Sequence, residues 1–387
     1  MSISITQNPA AVSLAQSPII FTVAESNGAL ITSSSFQYVG ELYYWTGSII
    51  NSGSADYTIS KFPNTATVGI FDLNRIINST LTDLLIQNTS NVVYFAVDFY
   101  PQYLSGSIFV TGSHVKSSTY KALDGYGIFP EPIGQELYAK SIHFPLLTDA
   151  PTTQSVLIED GGYSGLYIGS AGSATIPTKL VYTSNLGTAE TYFTASTATS
   201  GQIATYGNAP LSGQFPVSIY GSNLEYYTIQ AYSGSIPLSI PTRYEVVCKQ
   251  KYPNIRISWK NRYGQFDWYS FYMVNRKSFQ TTKKTYQPQL GTWEGSSFSY
   301  SSYDSSNLNY IVDSSQTLQV NSFWLTDDYN DWFKQLLVSD EIYWWDTIGA
   351  RPLTIATSDI QFKTGVNDKL IQYQFDFNLG QNYKLIM

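Results

Sequence analysis

The sequence predicts a mainly β protein of several domains, organised as β-sandwiches with two short helices. Charged residues make up only 13% of the 387 residues, whereas tyrosine alone contributes 32, and aromatic residues suit pleated sheets. Most apolar stretches alternate with polar residues at the two-residue period of a strand, and only two keep the three-to-four-residue spacing of a helix. A chain of this length is long enough for two or three domains.

The distribution of charge divides the chain into three parts. Residues 1–145 hold five basic and nine acidic side chains, residues 146–240 hold only Lys179 against five acids, and residues 241–387 hold fifteen basic and fourteen acidic side chains. We therefore expect an N-terminal β-rich domain with one helix over 1–145, a Ser/Thr/Gly-rich β-sandwich-like insert over 146–240, and a C-terminal β domain with one helix over 241–387.

The first part contains three predicted strands and one predicted helix. The strands are Pro18–Val23, Phe36–Trp45 and Asn91–Tyr100, each bounded by Gly, Ser, Asn or Pro. Between the second and third strands, apolar residues recur at helical spacing through Asp72–Leu85, and Asp72 is placed to cap this helix.

The second part is rich in Gly, Ser and Thr and carries short apolar runs. These runs recur at spacings too regular for a flexible linker, so we interpret the part as a small β-sandwich inserted between two halves. The runs are Ser155–Ile158, Gly165–Ile168, Lys179–Thr183, Val217–Tyr220 and Tyr226–Ala231.

The third part opens with a predicted β-hairpin. Ile255, Ile257 and Trp259 alternate with polar residues, which predicts a strand with one buried face and one solvent-facing face. The five residues Asn261–Gln265 include a glycine and suit the turn, and a return strand rich in aromatic residues follows.

After the hairpin we expect a Ser/Tyr-rich loop, a helix and a closing strand. The loop is Glu294–Asn309. The helix is Thr326–Val338, in which acidic residues occupy the first turns and apolar residues form a stripe. In the strand Ile371–Leu379 apolar side chains alternate strictly with polar ones, so one face is predicted to be buried.

The hairpin is also the predicted assembly surface. Its return strand carries large side chains on both faces, and a single domain core covers only one of them. Between Lys249 and Lys284 there are nine basic residues against the single acid Asp267, in a chain with a net charge of −7. We therefore predict a contact with neighbouring subunits, in which buried aromatic residues supply most of the affinity. The predicted contact residues are Arg256, Lys260, Arg262, Trp268, Tyr269, Phe271, Tyr272, Met273, Arg276 and Lys277.

The sequence offers no catalytic, metal-binding or cofactor-binding signature, and we predict that the protein is not an enzyme. His114 and His143 lack a metal-ligand spacing, and Cys248 has no histidine nearby. Glu159 and Asp160 would point to opposite faces of a strand, and acids that open a helix are explained by its dipole. The acidic pairs therefore do not make a convincing glycosidase site.

The overall charge and hydropathy restrict the classes of partner. A net charge of −7 and a pI of about 4.9 argue against specific nucleic-acid binding and against a polybasic membrane anchor. Since no run of 18 apolar residues and no secretory pattern occurs, we expect no membrane segment. The single cysteine excludes an internal disulfide and suits synthesis in a reducing cytoplasm.

Four stretches carry the most characteristic pattern: SPIIFTV, FQYVGELYYW, KFPNTATVGIFDLNRIINSTL and YPNIRISWKNRYGQFDWYSFYM. They resemble tail and baseplate structural proteins of tailed bacteriophages, of the crAss-like and related phages of Bacteroidota and marine hosts. The order of hairpin, loop, helix and closing strands also resembles the tail-tube and distal-tail fold. The resemblance implies a tail-tube-like C-terminal domain, a place in the virion tail after synthesis in the host bacterial cytoplasm, and assembly into a sixfold or twelvefold ring.

These observations favour a non-enzymatic virion structural protein, a ring, hub or baseplate subunit that joins neighbouring tail proteins. The expected partners are other copies of the chain and adjacent tail, hub or fibre proteins. The alternative is a carbohydrate-binding adhesin or receptor-binding tail protein, because clustered Tyr and Trp with polar amides also suit sugar faces. A tail-associated glycan hydrolase is the least favoured interpretation, because it lacks a convincing acid pair.

Overall fold

The computed structural model describes residues 3–46, 53–81, 92–129, 145–168, 176–193, 202–247, 251–357 and 371–380. Strands account for 52% of these residues and helices for 8%. The prediction of a mainly β protein is therefore confirmed. Within these ranges no helix is long and apolar enough to cross a membrane.

Two facing sheets form the first part of the chain. Its elements are β1 (Ile3–Gln7), β2 (Val12–Leu14), β3 (Ile20–Glu25), α1 (Gly28–Ile31), β4 (Gln37–Thr46), β5 (Tyr57–Lys61), β6 (Val68–Asp72), α2 (Asn74–Thr80), β7 (Val92–Ser105), β8 (Ile108–Thr111), β9 (Val115–Lys116) and β10 (Tyr120–Leu123). One sheet has the order β1-β3-β6, and the other has the order β2-β10-β7-β4-β5, with β8 and β9 also paired to β7. The rings of Phe21 and Phe71 contact those of Phe95 and Phe99 between the sheets, so this is the core.

A second sheet system follows, with a core of its own. Its elements are β11 (Thr153–Leu157), β12 (Tyr163–Ile168), β13 (Lys179–Ser184), β14 (Gly187–Tyr192), β15 (Gln202–Gly207), a 3₁₀ turn (Val217–Ile219), β16 (Tyr226–Ser233), β17 (Ile236–Pro237) and β18 (Thr242–Val247). The main sheet has the order β11-β18-β16-β13-β14, β17 pairs with β16, and β12 pairs with β15. Tyr182, Phe215 and Tyr227 lie at the centre of this core.

The last part of the chain contributes a seven-stranded sheet and the longest helix. Its elements are β19 (Ile255–Lys260), β20 (Phe266–Phe271), β21 (Arg276–Tyr286), β22 (Thr292–Trp293), β23 (Phe298–Ser299), β24 (Leu308–Asn321), α3 (Tyr329–Val338), β25 (Ile342–Asp346), β26 (Gly349–Ile355) and β27 (Gln374–Leu379). The sheet order is β20-β19-β25-β26-β27-β24-β21, so β21 lies at an edge, and β22 pairs with β23.

A helix lies at each of the two predicted places, and each is shorter than predicted. α2 stops at Thr80, because Leu81 is extended and the hydroxyls of Ser79 and Thr80 donate to backbone carbonyls one turn back. Such side-chain bonds compete with the helical ladder. Leu84 and Leu85, the end of the predicted helix, lie outside the described residues. α3 begins at Tyr329 instead of Thr326 and ends at Val338 as expected.

The predicted hairpin is present, but its first strand has no solvent-facing side. All six side chains of β19 are buried, including those of Arg256 and Lys260. The alternation of apolar and polar residues is typical of a half-exposed strand, but the polar face of β19 is buried as well. Its polar side chains have polar partners there, since Arg256, for example, donates to the hydroxyl of Ser270 at 2.8 Å. The turn is as predicted, with Gly264 at φ +70°.

The chain folds into two compact units, each discontinuous in sequence. Unit 1 comprises Met1–Lys249, Trp259–Trp268 and Asp331–Ser339. Unit 2 comprises Gln250–Ser258, Tyr269–Asn330 and Asp340–Met387. The division of the sequence at residues 145 and 240 stays a prediction.

Candidate functional site

The structure places most of the predicted contact residues inside the fold. Seven of the ten are buried: Arg256, Lys260, Arg262, Trp268, Tyr269, Phe271 and Tyr272. Met273 is half-buried, and only Arg276 and Lys277 are exposed. A side chain without accessible surface offers no contact area to a neighbour, so we correct the assignment of these seven to the contact surface and describe them as core.

The two buried cations of the turn region have acidic partners in unit 1. Lys260 Nζ lies 2.7 Å from Asp124 Oδ2, with both side chains buried. Arg262 Nε lies 2.5 Å from Asp149 Oδ2, and its Nη2 donates to the Tyr263 hydroxyl at 2.6 Å. Because removal from water is costly for a charge, such cations are stable in a core only when paired. The basic residues of this hairpin therefore connect segments distant in sequence.

The backbone of the turn packs directly against the backbone of Asp124, and this contact leaves no room for a Cβ atom at position 264. A Cβ on Gly264 would lie 1.9 Å from the carbonyl oxygen of Asp124. In the facing segment that follows β10, a Cβ on Gly125 would lie 2.2 Å from the carbonyl oxygen of Arg262, which accepts from the N–H of Tyr126 at 2.9 Å. Real Cβ atoms are essentially never found this close, so both glycines are required by the close approach of the two backbones.

Asp267 is a buried carboxyl in the same region. Its carboxylate accepts from the indole N–H of Trp332 (2.6 Å) and from the hydroxyl of Thr148 (2.7 Å). Burial raises the pKa of Asp267 to about 7, although hydrogen bonds from Trp332, Thr148 and Asn261 oppose the rise. This carboxyl therefore titrates near neutral pH within the core of unit 1.

Replacing Asp267 by asparagine is expected to flatten the pH dependence of stability. The folded-state pKa lies above the ordinary value of 3.8, so the native state keeps a proton that the unfolded chain releases. This contribution to the unfolding free energy is complete below about pH 4, declines as pH rises and is lost above about pH 7. Urea midpoints of the natural chain, followed by tryptophan fluorescence, should therefore fall over this range more steeply than those of D267N.

A matched control for D267N is D313N, which neutralises an exposed acid on β24 of unit 2. Its midpoints should fall with pH in parallel with those of the natural chain. Parallel curves for D267N would contradict the assignment of the proton to Asp267.

Unit 2 presents a long two-stranded ribbon to solvent. β21 and β24 pair antiparallel through eleven residue pairs, from Arg276 opposite Gln319 to Tyr286 opposite Leu308. Every side chain of β21 is exposed. This strand carries four cations and no acid, namely Arg276, Lys277, Lys283 and Lys284. Only the base of the ribbon enters the core, where Leu318 and Val320 of β24 are buried.

The tip of the ribbon is a small hairpin, β22–β23, surrounded by exposed aromatic residues. Trp293 is 65% exposed, Tyr300 73% and Tyr303 86%. The hairpin is held by its own bonds, because the Glu294 carboxylate accepts from the Ser299 hydroxyl at 2.7 Å. Other large exposed side chains near the tip are Tyr286, Leu290, Phe298, Leu308, Tyr310 and Ile311. Clustered exposed apolar residues of this kind mark interaction sites.

Neither strand of the ribbon is predicted from the sequence. Thr, Ser, Gln and Lys occupy both faces of β21, so the apolar alternation that reveals a half-buried strand is lacking. The available signal was weaker: two Thr- and Tyr-containing stretches flank a Gly/Ser-rich segment, as in a long hairpin. The segment predicted as the loop Glu294–Asn309 does contain turns, together with β23 and the first residues of β24.

His114 and Asp160, two of the candidate catalytic or metal-binding groups in the sequence, make contacts that are typical of structural residues. His114 Nδ1 lies 3.1 Å from Asp98 Oδ2 near the surface. The buried Asp160 carboxylate accepts from a backbone N–H at 2.9 Å. His143 and Cys248 lie outside the described residues. In the described ranges, no group of three or more His, Cys, Asp and Glu side chains is placed to hold a metal ion.

No protein-family model matches this sequence, and no curated protein matches it significantly. The candidate site is therefore defined by geometry alone. It is the ribbon from Arg276 to Asn321, with its cationic edge strand and its aromatic tip.

Proposed function

We propose that this chain is a non-enzymatic structural subunit of a bacteriophage tail, a ring, hub or baseplate component that joins neighbouring tail proteins. The expected partners are copies of the chain and adjacent tail, hub or fibre proteins. The location in the virion rests on the resemblance of the sequence to tail and baseplate proteins.

The exposed ribbon is the observation that supports a joining role. All eleven side chains of β21 contact solvent, so the outer ribbon gains little from burial within its own unit. Ordering a residue costs about 1–2 kcal/mol of backbone entropy, and a partner surface that covers the aromatic tip would offset this cost. The aromatic side chains of the ribbon and Arg276 are also of the types enriched at protein interfaces.

A carbohydrate-binding or receptor-binding role is the second candidate, and the tip is the observation that favours it. Trp293, Tyr300 and Tyr303 present exposed rings beside Ser and Gly residues. Sugar faces stack on such rings while polar side chains bind the hydroxyls.

Purified phage particles provide the test. We expect mass spectrometry to find the chain at a copy number that matches the tail symmetry, and a reconstruction to show the ribbon covered by a neighbouring subunit. W293S/Y300S should yield folded protein that fails to enter particles. V217S, which changes an exposed apolar residue of unit 1, should enter them normally.

A ribbon that is solvent-exposed in the particle and binds glycans would instead support the second candidate. Absence of the chain from purified particles would contradict the proposed function outright.

A further inference from the structure

Two exposed surfaces of unit 2 have opposite charge and similar apolar character. The first, which we call the ribbon end, comprises Lys283, Lys284 and Tyr286 of β21 with Tyr310 and Ile311 of β24. Its two lysines are exposed, and the rings of Tyr286 and Tyr310 pack edge to face at 6.2 Å. Because side chains alternate along a strand, Lys284 and Tyr286 lie on one face and Lys283 on the other, so an apolar surface beside one cation results, with a second cation at the same edge.

The second surface is the connection between β24 and α3. We call it the acidic segment and define it as Phe323, Trp324, Asp327 and Asp328. All four side chains are exposed, with Trp324 at 49%. Phe323 fixes the segment to the core of unit 2, because its ring packs on the buried ring of Tyr272 with 5.5 Å between the ring centroids. An apolar surface beside two anions results.

The charges of both surfaces are uncompensated within the described part of the chain. Neither the two lysines of the ribbon end nor the two aspartates of the acidic segment make an ion pair with any described residue. The aspartates favour the start of α3 through the helix dipole, but that role does not require the neighbouring Phe323 and Trp324 to be exposed. On each surface, the charges and the exposed apolar side chains are therefore both available to the same partner.

The two surfaces of one chain lie too far apart to meet each other. They are connected by β24, in which Ile311 marks the ribbon end and Asn321 precedes the acidic segment. Ten residues of strand separate them by about 33 Å, at a rise of about 3.3 Å per residue. Because β24 is one continuous strand, paired with β21 along its length and with β27 near its base, the ribbon end reaches an acidic segment only in another copy.

We propose that the ribbon end of one copy docks on the acidic segment of the next copy. The inference rests on the proposed function and names the contact by which neighbouring copies join. The contact is heterologous, since two different surfaces meet, and repeated heterologous contacts form a ring when the rotation closes. The aspartates receive Lys284, which lies on the same face of the strand as Tyr286, and Trp324 packs with the tyrosines of the ribbon end. Lys283, on the other face of this edge strand, adds to the local positive charge. Charge pairing sets the register and the encounter rate, while the aromatic residues supply affinity.

Charge exchange tests this pairing. The variants are K283E/K284E, D327K/D328K and the combination of all four substitutions in one chain. We expect the natural full-length chain to self-associate in sedimentation equilibrium, with weaker association at high salt. Each double variant should associate at least about tenfold more weakly, because like charges then face each other. The fourfold variant should regain most of the natural affinity, since the pairs are restored with reversed sign.

Mixing the two double variants gives an independent measurement. Each contributes one natural and one reversed surface, so the mixture should associate more strongly than either variant alone. The control is E159K/E225K, which reverses two exposed acids of unit 1 and should associate like the natural chain. Far-ultraviolet circular dichroism should be the same for all variants, because every substituted side chain is exposed.

Failure of the fourfold variant and of the mixture to associate would overturn the pairing of these two surfaces. A natural chain that stays monomeric at its highest soluble concentration would overturn it as well. Neither result contradicts the proposed function, which is decided separately by the presence and copy number of the chain in purified particles.

Discussion

Gly264→Ala is expected to destabilise unit 1 more than any other change considered. The added Cβ would lie 1.9 Å from the Asp124 carbonyl oxygen. The residue would also keep a φ of +70°, a backbone conformation that residues with a side chain rarely adopt. Relief by movement of Asp124 is opposed by the buried ion pair between its carboxylate and Lys260. We expect the free energy of unfolding to fall by more than about 4 kcal/mol, measured by urea unfolding with tryptophan fluorescence.

Gly106 provides a matched control for this prediction. It has the same φ of +70°, but a Cβ would meet nothing within 4 Å. Gly106→Ala should therefore show only the backbone penalty of about 1–2 kcal/mol. Equal losses for the two variants would show that the close approach to Asp124 is not what restricts position 264.

Arg262→Met is the second change for which we expect a large effect. The arginine is buried, and its loss leaves the Asp149 carboxylate with Tyr263 and Gln335 as donors but without a cation. Removing one partner of a buried ion pair typically costs about 3–5 kcal/mol, and we expect the lower end of this range because the Asp149 side chain is 21% exposed. The urea midpoint should fall accordingly, and the additional change Asp149→Asn should recover part of the loss.

The control for Arg262→Met is Arg243→Met, which breaks the exposed pair of Arg243 with Glu245. Surface pairs contribute about 0–1 kcal/mol, so the midpoint should hardly move. If Arg262→Met were as mild as this control, or if Asp149→Asn made it worse, the buried pair would not be the source of stability that its geometry indicates.

Periodicity predicted where many strands lie but not what covers them. In β19 the alternation of Ile255, Ile257 and Trp259 with polar residues located the strand correctly. The partners of Arg256 and Lys260, however, are Ser270 and Asp124, and nothing within the strand encodes them. The identity of a Lys or Arg residue in the sequence does not show whether its side chain is buried or exposed to solvent. Only the fold decides between them, which is why the predicted contact surface was placed on residues of the core.

The ribbon shows the opposite limitation. Strand patterns are visible when one face is apolar, and this pattern arises only from burial in the chain's own core. β21 is exposed on both faces, so its sequence resembles that of a loop. The cationic bias between Lys249 and Lys284 was visible, and it does include Lys283 and Lys284, but it could not separate these exposed lysines from the buried Lys260 and Arg262.

Unit 1 consists of three separate segments of the sequence, which affects its folding during synthesis and the choice of fragments that can fold. Its last segment, Asp331–Ser339, leaves the ribosome after more than 330 residues have been synthesised. At about 5–20 residues per second, the N-terminal sheets wait roughly 4–20 s between the synthesis of residue 249 and that of α3. Once Trp259 and Asp267 have been synthesised, they remain without Trp332 for the later part of that interval, and a surface left uncovered in this way is open to aggregation and to chaperones. A fragment that ends at residue 240 would lack Lys260 and Arg262, so the carboxylates of Asp124 and Asp149 would have neither of these cationic partners.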